Sequence, residues 1–224
     1  EKRSQFEHPA NVLFIHTEGN RELAISVTPP WPLAQIQRDL LEVFCQRIAA
    51  AFDNLYMFGQ LRKAQEATVV ALADLAEFRD SDTGGHVRRV QLLSDAIARR
   101  MQQRGVYPDE LTPQLLDMIG LASILHDVGK VATPDAVLLK PGKHTDEERT
   151  QMQMHASVGR TILERAANMV DGVSYLTYGA QIAGGHHEHF DGAGYPNGLK
   201  GRAIPLAARI VAVVDVFDAL LHER

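Results

Sequence analysis

The sequence predicts a mainly α-helical protein, in which a helical bundle follows a long connecting helix and a short β-hairpin. Three observations support this prediction. Residues 33–78 contain no proline and a single glycine. Apolar residues recur at steps of three and four in most of the segments that follow, and strand-like runs are confined to the first thirty residues.

Composition narrows the classes of protein to which the chain can belong. Of its 224 residues, 45% are hydrophobic and 23% are charged, which is typical of a soluble globular domain. The formal net charge of −5, without a basic stripe, argues against a nucleic acid polymer as partner. No run approaches the ~18 apolar residues of a membrane span. The single cysteine, Cys45, and the absence of a signal sequence after Glu1 predict a cytoplasmic protein cut from a longer chain.

Residues 1–32 are expected to be the end of an upstream α/β domain. Two strand-like runs in NVLFIHTEGNRELAISV flank Gly19 and Asn20, which suit a hairpin turn. Because a lone hairpin is only marginally stable, further strands are expected upstream. The segment TPPWP then breaks the chain, and Pro32 suits the start of a helix.

A long helix is predicted from about Leu33 to Phe78, with residues 33–66 serving as a linker that transmits a signal. Its apolar residues are expected to form one stripe, namely Ile36, Leu40, Phe44, Ile48, Phe52, Leu55, Phe58 and Leu61. A long helix with one stripe usually pairs with a copy of itself or bridges two domains, so a parallel homodimer is expected. The alternative is two shorter helices with a break near Gly59.

Four further helices are expected downstream. The first runs from His86 to a stop at Gly105. The second begins at Thr112 and continues through ILHDVGK, ending before Pro134. A capping-box pattern predicts the third over residues 145–167, and LAARIVAVVDVFDALL is expected to form a final buried helix.

The segment ILHDVGK places His126, Asp127 and Lys130 among apolar residues, where a charge needs compensation. On a helix, Lys130 would rise over the face that carries the other two side chains. Imidazole suits iron, manganese or zinc, and a carboxylate that bridges two ions suits a two-metal site. Taken alone, the histidine–aspartate pair is better interpreted as a capped or hydrogen-bonded structural pair.

Further histidines and carboxylates are expected to point inward from separate segments. The candidates besides His126 and Asp127 are His155, His186, His187, Asp215, His86 and Asp82. His155 shares a predicted helix face with Val158 and Ile162, and Asp215 lies within the apolar run IVAVVDVFDAL. Buried carboxylates require a cation or several donors. Because independent structural explanations for all these positions are improbable, a metal centre is favoured.

Three motifs together resemble the HD-GYP family, bacterial signalling phosphodiesterases within the HD superfamily of metal hydrolases. They are HDVGK at 126–130, HHEHFDGAGYP at 186–196 and DVFDAL at 215–220. The resemblance covers about residues 67–224. It implies an all-helical fold and hydrolysis of cyclic di-GMP to pGpG or GMP. It also implies a centre of two or three divalent ions, commonly iron or manganese.

The same resemblance implies roles for individual residues. As metal ligands it implies His126, Asp127, His155, His186, His187, Asp215, His86 and Asp82. As catalytic residues it implies Lys130 and Asp127, and as substrate contacts Lys130, Arg209, Gly194, Tyr195 and Pro196. Three-metal members of the family carry glutamate where this chain has the shorter Asp82, so a two-metal centre is favoured.

The loop that contains Gly194, Tyr195 and Pro196 is predicted to form a substrate lip or a partner surface. Gly192 and Gly194 are expected to adopt backbone angles closed to other residues. Glu188 is expected to lie at the surface or behind the ligands.

The two ends of the chain also bear on function. The stretch from FEHPANVLFI through the long helix resembles a sensor-like region of some bacterial response regulators. The family normally continues past DALLHER.

The partners implied are cyclic di-GMP, a second copy of the chain and a protein at the GYP loop. Two alternatives stay open: a catalytically weak module that binds cyclic di-GMP or proteins, and a hydrolase that prefers pGpG or another cyclic dinucleotide.

Overall fold

The computed structural model describes residues 4–17, 22–77 and 85–221 of the chain. The chain divides into two compact units, residues 1–65 and residues 66–224, and the boundary falls inside a helix. Helices predominate, and the strands of the described part form one small N-terminal sheet. The predicted mainly helical fold class is therefore confirmed.

The N-terminal sheet has three antiparallel strands rather than two. They are β1 (Gln5–Glu7), β2 (Ala10–His16) and β3 (Glu22–Val27), in that spatial order. The predicted hairpin corresponds to β2 and β3, in which Leu13 lies opposite Ile25. Its predicted turn at Gly19 and Asn20 lies outside the described residues. Strand β1 was missed because three residues are too few to show an alternating pattern.

Helix α1 runs without interruption from Gln35 to Glu77, so the alternative of a break near Gly59 is wrong. Its apolar residues divide between two faces instead of forming one stripe. Leu41, Cys45 and Ile48 pack against the sheet, where they share a core with β2. Most of the predicted stripe is exposed instead, at Ile36, Leu40, Phe44, Phe52, Leu55, Phe58 and Leu61.

The described part of the second unit is a bundle of six helices, against which the last turns of α1 pack. These helices are α2 (His86–Gln103), α3 (Pro113–Ser123), α4 (Asp135–Leu138), α5 (Asp146–Ala167), α6 (Tyr175–Ala183) and α7 (Leu206–Leu221). Two short 3-10 helices, Val128–Ala132 and Gly201–Ala203, interrupt the connections. Helix α5 packs on α6, and α2 packs on α3 and α7. None of the described helices has the length and apolar character that crossing a membrane requires.

The predicted helix starts agree with the structure. The Thr112 hydroxyl caps α3 by accepting a hydrogen bond from Leu115 N, and Thr145 forms a capping box with Glu148 at the start of α5. Gly105 follows α2 with a φ of 63°, as a C′ glycine should.

One prediction about the helices was wrong, and one helix was missed. Helix α3 ends at Ser123, so HDVGK lies in a turn and a 3-10 helix rather than on an α-helix. Helix α6 was not predicted, because its nine residues are too short to establish a period. His155 was expected to share an inward face with Val158 and Ile162. Ile162 is 39% exposed, however, and the buried residues nearest to His155 on α5 are Ala156 and Gly159.

Candidate metal centre

The carboxylate of Asp127 lies between two groups of candidate ligands. Its Oδ1 faces His155 and His186, at 3.4 Å and 3.5 Å from their Nε2 atoms. Its Oδ2 faces the other way, 3.4 Å from His126 Nε2. The two oxygens of one residue therefore point towards two separate positions at which a cation could bind.

The first group consists of Asp127, His155, His186 and His187, whose ligand atoms lie within 4.8 Å of one another. Three of these atoms, Asp127 Oδ1, His155 Nε2 and His186 Nε2, are buried and have no hydrogen-bond partner. Leaving polar atoms buried without a partner costs free energy unless something else binds them. A cation is the partner that fits two imidazole nitrogens and a carboxylate oxygen.

The second group consists of His86, His126 and Asp215. His86 Nε2 lies 3.4 Å from His126 Nε2 and 3.6 Å from Asp215 Oδ1. His126 Nε2 lies 4.0 Å from the same carboxylate oxygen. Atoms that bind one ion at about 2.1 Å lie roughly 3.0–3.5 Å from each other, so small movements would complete this group.

Four of the histidines are held by their Nδ1 atoms, which leaves Nε2 to face the centre. The Nδ1 atom of His126 lies 3.0 Å from Ser123 O, and that of His155 lies 2.7 Å from Met152 O. The Nδ1 atom of His186 lies 3.0 Å from Ile182 O. Since a carbonyl can only accept, each of these rings donates through Nδ1 and keeps a lone pair on Nε2.

The fourth histidine, His86, is held by a side chain. Its Nδ1 lies 2.7 Å from Asp218 Oδ2. Asp218 is 2% exposed and also accepts hydrogen bonds from Arg89, at 2.6 Å and 2.9 Å. The Arg89 contact, and secondarily the His86 contact, hold the pKa of the Asp218 carboxyl at about 2 against the opposing effect of burial.

Helix ends explain why two ligands lie where they do. Helix α3 ends at Ser123 and α6 ends at Ala183, and the last carbonyls of a helix have no partner within it. His126 and His186 each lie three residues beyond a helix end. Their Nδ1 atoms donate hydrogen bonds to the last carbonyls of these helices. Capping the helix and aiming Nε2 at the centre are thus one structural feature.

The protonation states suit metal binding. Burial raises the pKa of Asp127, but His126 and Lys130 outweigh it and hold the pKa well below the usual range. Burial is the main cause that lowers the pKa of His155 and lowers the pKa of His187 to about 2. The aspartate is therefore an anion and these two imidazoles are neutral at pH 7, the forms in which they bind a cation.

Lys130 lies beside the centre, with its Nζ 2.8 Å from Asp127 Oδ2. The two residues are three apart in a 3-10 geometry, in which side chains at that spacing eclipse each other. The prediction that Lys130 shares a side with Asp127 thus agrees with the structure, although the helix type was wrong.

Gly129 allows α5 to approach this turn. A Cβ atom on Gly129 would lie 1.9 Å from His155 O and 2.6 Å from Gly159 N, which no packing tolerates. The absence of a side chain at Gly129 therefore lets the backbone that carries Asp127 touch the backbone that carries His155.

The GYP loop folds back onto the ligands. The ring of Tyr195 stacks on His187 at 4.7 Å between centroids, and Tyr195 N donates to His187 O. Gly192 has a φ of 89°, as predicted. Gly194 does not have a positive φ. A glycine is needed there because a Cβ atom would lie 2.4 Å from His187 O.

Glu188 organises the far side of this loop. It is 5% exposed, and its two carboxylate oxygens accept hydrogen bonds from Asn197 N at 2.8 Å and Leu199 N at 2.9 Å. Of the two placements expected for Glu188, the structure shows the one behind the candidate ligands rather than the one at the surface. The peptide bond between Tyr195 and Pro196 is cis, and Pro196 lies in the loop between Glu188 and its partner Asn197.

Among the predicted site residues that the structure describes, Arg209 is not brought to the centre. Arg209 pairs with Glu110, donates to Ile204 O and lies 4.9 Å from the Tyr107 ring centroid. It lines a cavity of about 340 Å³, and none of the described residues around that cavity belongs to the two ligand groups. The structure thus lends no support to a substrate contact by Arg209. Asp82 lies outside the described residues.

The parts played by Asp218 and Arg89 were not predicted from the sequence. Asp218 follows Asp215 by almost one helical turn, so its position on the same side as the ligands was visible. Its partner His86 is 132 residues away, and only the fold brings them together.

The sequence that forms this centre matches a known family. Residues 70–224 match the HD domain, more than half of the chain. The chain belongs to the HD-domain family. Residues 1–61 of this HD-domain protein match a domain of unknown function, DUF3369.

Curated relatives confirm that the HD-domain protein is of the HD-GYP type. A probable cyclic di-GMP phosphodiesterase of Vibrio cholerae is 47% identical over 167 residues, which cover 74% of this chain and 38% of the relative. The response regulator RpfG of Xanthomonas campestris, a cyclic di-GMP phosphodiesterase, is 41% identical over 76% of this chain and 42% of its own length. A 3'3'-cGAMP-specific phosphodiesterase 2 of Vibrio cholerae is 39% identical over 96% of this chain and 39% of its own length. The chain thus spans less than half the length of these relatives.

Proposed function

We propose that this chain is a metal-dependent phosphodiesterase that hydrolyses cyclic di-GMP to pGpG or GMP, as the output part of a bacterial signalling protein. The observation that supports this most directly is the Asp127 carboxylate, whose two oxygens face two separate ligand groups. Such an arrangement is that of a two-metal hydrolase of phosphate esters. The names of relatives at 41–47% identity supply the substrate.

Each group of residues has a part in the proposed reaction. When bound, two divalent ions supply a nucleophilic water at neutral pH and charge stabilisation for the phosphoryl oxygens. His155, His186 and His187 hold one position, His86, His126 and Asp215 hold the other, and Asp127 belongs to both. Lys130, at the edge of the centre, neutralises the charge that develops on the phosphate. Tyr195 holds the His187 ring by stacking on it.

The nature of the ions follows from the donor set. Imidazole and carboxylate ligands without thiolate suit iron or manganese, and we propose two such ions per chain. A third ion would require Asp82, which is shorter than the glutamate of three-metal relatives. We further propose that the protein is cytoplasmic, that it forms homodimers through α1, and that the GYP loop offers a surface for protein partners.

A second cyclic dinucleotide is favoured by one specific observation. The match to the 3'3'-cGAMP-specific relative extends over 96% of this chain and therefore includes the N-terminal unit, whereas the other two reported matches cover 74% and 76%. We accordingly propose 3'3'-cGAMP as the alternative substrate. The ligand groups and Lys130 would act on either molecule, because both contain the same 3'–5' phosphodiester bonds.

The test is an anaerobic turnover assay on the purified chain, loaded with iron or with manganese and analysed for metal content. Cyclic di-GMP, 3'3'-cGAMP and pGpG are compared as substrates, with Asp127→Ala as the inactive control. Faster hydrolysis of cyclic di-GMP than of the other two supports the proposal, and faster hydrolysis of 3'3'-cGAMP supports the alternative. Binding of cyclic di-GMP by the metal-loaded protein without turnover would identify a binding module and overturn the enzymatic proposal.

A further inference from the structure

The GYP loop is closed at its base by hydrogen bonds. Gly201 N donates to Phe190 O at 2.9 Å, and Leu199 N donates to the Glu188 carboxylate at 2.9 Å. These two contacts join the start of the loop to its end. The 3-10 helix Gly201–Ala203 follows directly, so a shift of this short helix would shift the loop as well.

Four side chains hold the segment 201–204 in place, and we call them the Tyr107 cluster. The guanidinium carbons of Arg202 and Arg209 lie 4.8 Å and 4.9 Å from the centroid of the Tyr107 ring. Glu110 pairs with Arg209 and lies 4.0 Å from Arg202. Arg209 also donates through Nε to Ile204 O at 3.0 Å. The connection between α2 and α3, which carries Tyr107 and Glu110, thus contacts both ends of the segment.

Tyr107 itself is held in an uncommon backbone conformation. Its φ is 51°, the positive φ of a non-glycine residue among those that the structure describes. A residue of this size keeps such an angle only where its surroundings require it. The Tyr107 carbonyl accepts hydrogen bonds from Glu110 N at 3.1 Å and Leu111 N at 2.9 Å, and the ring packs against the core of the bundle. The ring is therefore supported in one position beside the two guanidinium groups.

The contacts of Arg209 indicate what this residue does. Its side chain is 11% exposed, and its guanidinium contacts the Glu110 carboxylate, the Ile204 carbonyl and the Tyr107 ring. A cation over an aromatic ring is held more strongly where water is excluded, so Arg209 contributes more to the cluster than Arg202, whose side chain is 71% exposed. The charge of Arg209 is thus committed to the segment that follows the loop.

We propose that Tyr107 and Glu110 are positioning residues for the proposed hydrolysis. Through Arg202 and Arg209 they fix the segment 201–204, and thereby the position in which the GYP loop stacks Tyr195 on His187. Neither Tyr107 nor Glu110 belongs to the two ligand groups, so they act through the loop. The kinetic consequence rests on the proposed function, whereas the effect on the loop does not.

Two substitutions of Tyr107 form a matched pair that tests the effect on the loop. Tyr107→Leu removes the aromatic face and keeps an apolar side chain. Tyr107→Phe keeps the face, and the hydroxyl that it removes makes no hydrogen bond within the described residues. Exchange of the backbone amides of residues 188–200, measured by mass spectrometry on the full metal-loaded chain, should be at least about threefold faster in Tyr107→Leu. It should be unchanged in Tyr107→Phe. Exchange at the parent rate in Tyr107→Leu overturns the proposal, whatever the protein hydrolyses.

Kinetics with two substrates test the effect on the reaction. With cyclic di-GMP, Tyr107→Leu should raise KM about three- to tenfold and leave kcat within about twofold of the parent value. Bis(p-nitrophenyl) phosphate, a small diester without nucleobases, should be hydrolysed at the parent rate because it needs the metal centre but not the loop. Equal loss of turnover on both substrates overturns the positioning role. If the parent protein hydrolyses neither substrate, the proposed function fails and the exchange experiment alone decides the inference.

Glu110→Ala distinguishes positioning from a direct contact of Arg209 with the substrate. If Arg209 bound the substrate, its release from Glu110 would leave KM unchanged or lower it. Positioning predicts that KM for cyclic di-GMP rises, as in Tyr107→Leu. An unchanged or lower KM in Glu110→Ala therefore overturns the proposal.

An exposed residue provides a variant that leaves the core intact. Arg202→Ala removes one contact to the Tyr107 ring from a side chain that is 71% exposed, and it should speed exchange in the loop less than Tyr107→Leu does. Arg100→Ala removes an exposed arginine of α2 that donates to Gln103, and it should leave the exchange unchanged. Equal exchange in the two arginine variants overturns the proposal.

Discussion

Asp218 accepts a hydrogen bond from the Nδ1 atom of His86 at 2.7 Å, and Arg89 holds the same carboxylate from the other side. This contact fixes the direction in which His86 Nε2 points. Carboxylates that orient a metal-binding histidine typically raise metal affinity 10- to 100-fold.

Removal of this carboxylate should affect one ligand group only. We expect Asp218→Ala to weaken the binding of one of two manganese ions about 10- to 100-fold and to leave the other unchanged, because Asp127, His155 and His186 do not contact it. Calorimetric titration of the metal-free protein would show this as a split between two affinities. Asp117→Ala removes an exposed aspartate of α3 and should leave both affinities unaltered. Equal weakening of both ions would refute the assignment of Asp218 to a single position.

The bridging position of Asp127 predicts a different result. Asp127→Ala should lose both ions and all turnover together, because each carboxylate oxygen faces a separate ligand group. Elemental analysis after gel filtration measures the loss. Retention of the full metal content in this variant would show that the centre lies elsewhere.

Lys130→Ala should separate metal binding from turnover. The ammonium of Lys130 contacts Asp127 but cannot itself bind a cation, so metal content should remain while the rate falls about 10²- to 10³-fold. Lys140→Ala removes a lysine of the same unit that pairs with Glu148 instead, and it should retain the parent rate. The assigned role would be untenable if the two variants were equally active.

The limits of sequence reasoning are visible in these same residues. The histidines and aspartates of the two candidate groups could be named from the sequence, because these residues within apolar runs demand compensation wherever they lie. The way each ring is anchored could not be predicted. Three anchors are backbone carbonyls, which every residue possesses, and the fourth lies 132 residues from its histidine. The position of HDVGK was also mistaken, because no breaker in the sequence marks the end of α3 at Ser123.

Glu188 predicts a link between the loop and substrate binding. Glu188→Gln replaces one accepting oxygen by a donor that faces a backbone N–H, so we expect the free energy of unfolding to fall by roughly 1–2 kcal/mol. KM should rise more than metal affinity falls, because Glu188 contacts the loop and not the ligand groups. Glu164→Gln, at an exposed position of α5, is the control. Unchanged KM and stability in Glu188→Gln would contradict the role given to this residue.

Two glycines should respond in opposite ways to the same substitution. Gly129→Ala forces apart the turn and α5, and should both destabilise the protein by several kcal/mol and reduce its metal content. Gly59→Ala places a methyl group in open space within α1 and should stabilise the helix by about 0.5–1 kcal/mol. Thermal unfolding of the two variants beside the parent measures both effects. If the two substitutions shifted the midpoint in the same direction, the close contact at Gly129 would be in doubt.

The contrast between the histidine anchors has a consequence for how such centres diversify. Three rings are secured by main-chain carbonyls, which no point mutation can delete. Of the four histidines held through Nδ1, only His86 is held by a side chain, that of Asp218. The anchors of His155 and His186 therefore do not depend on which residue supplies them, whereas the anchor of His86 changes with a single codon. We therefore expect substitution at position 218 to change the affinity of one ligand group for an ion without changing the fold.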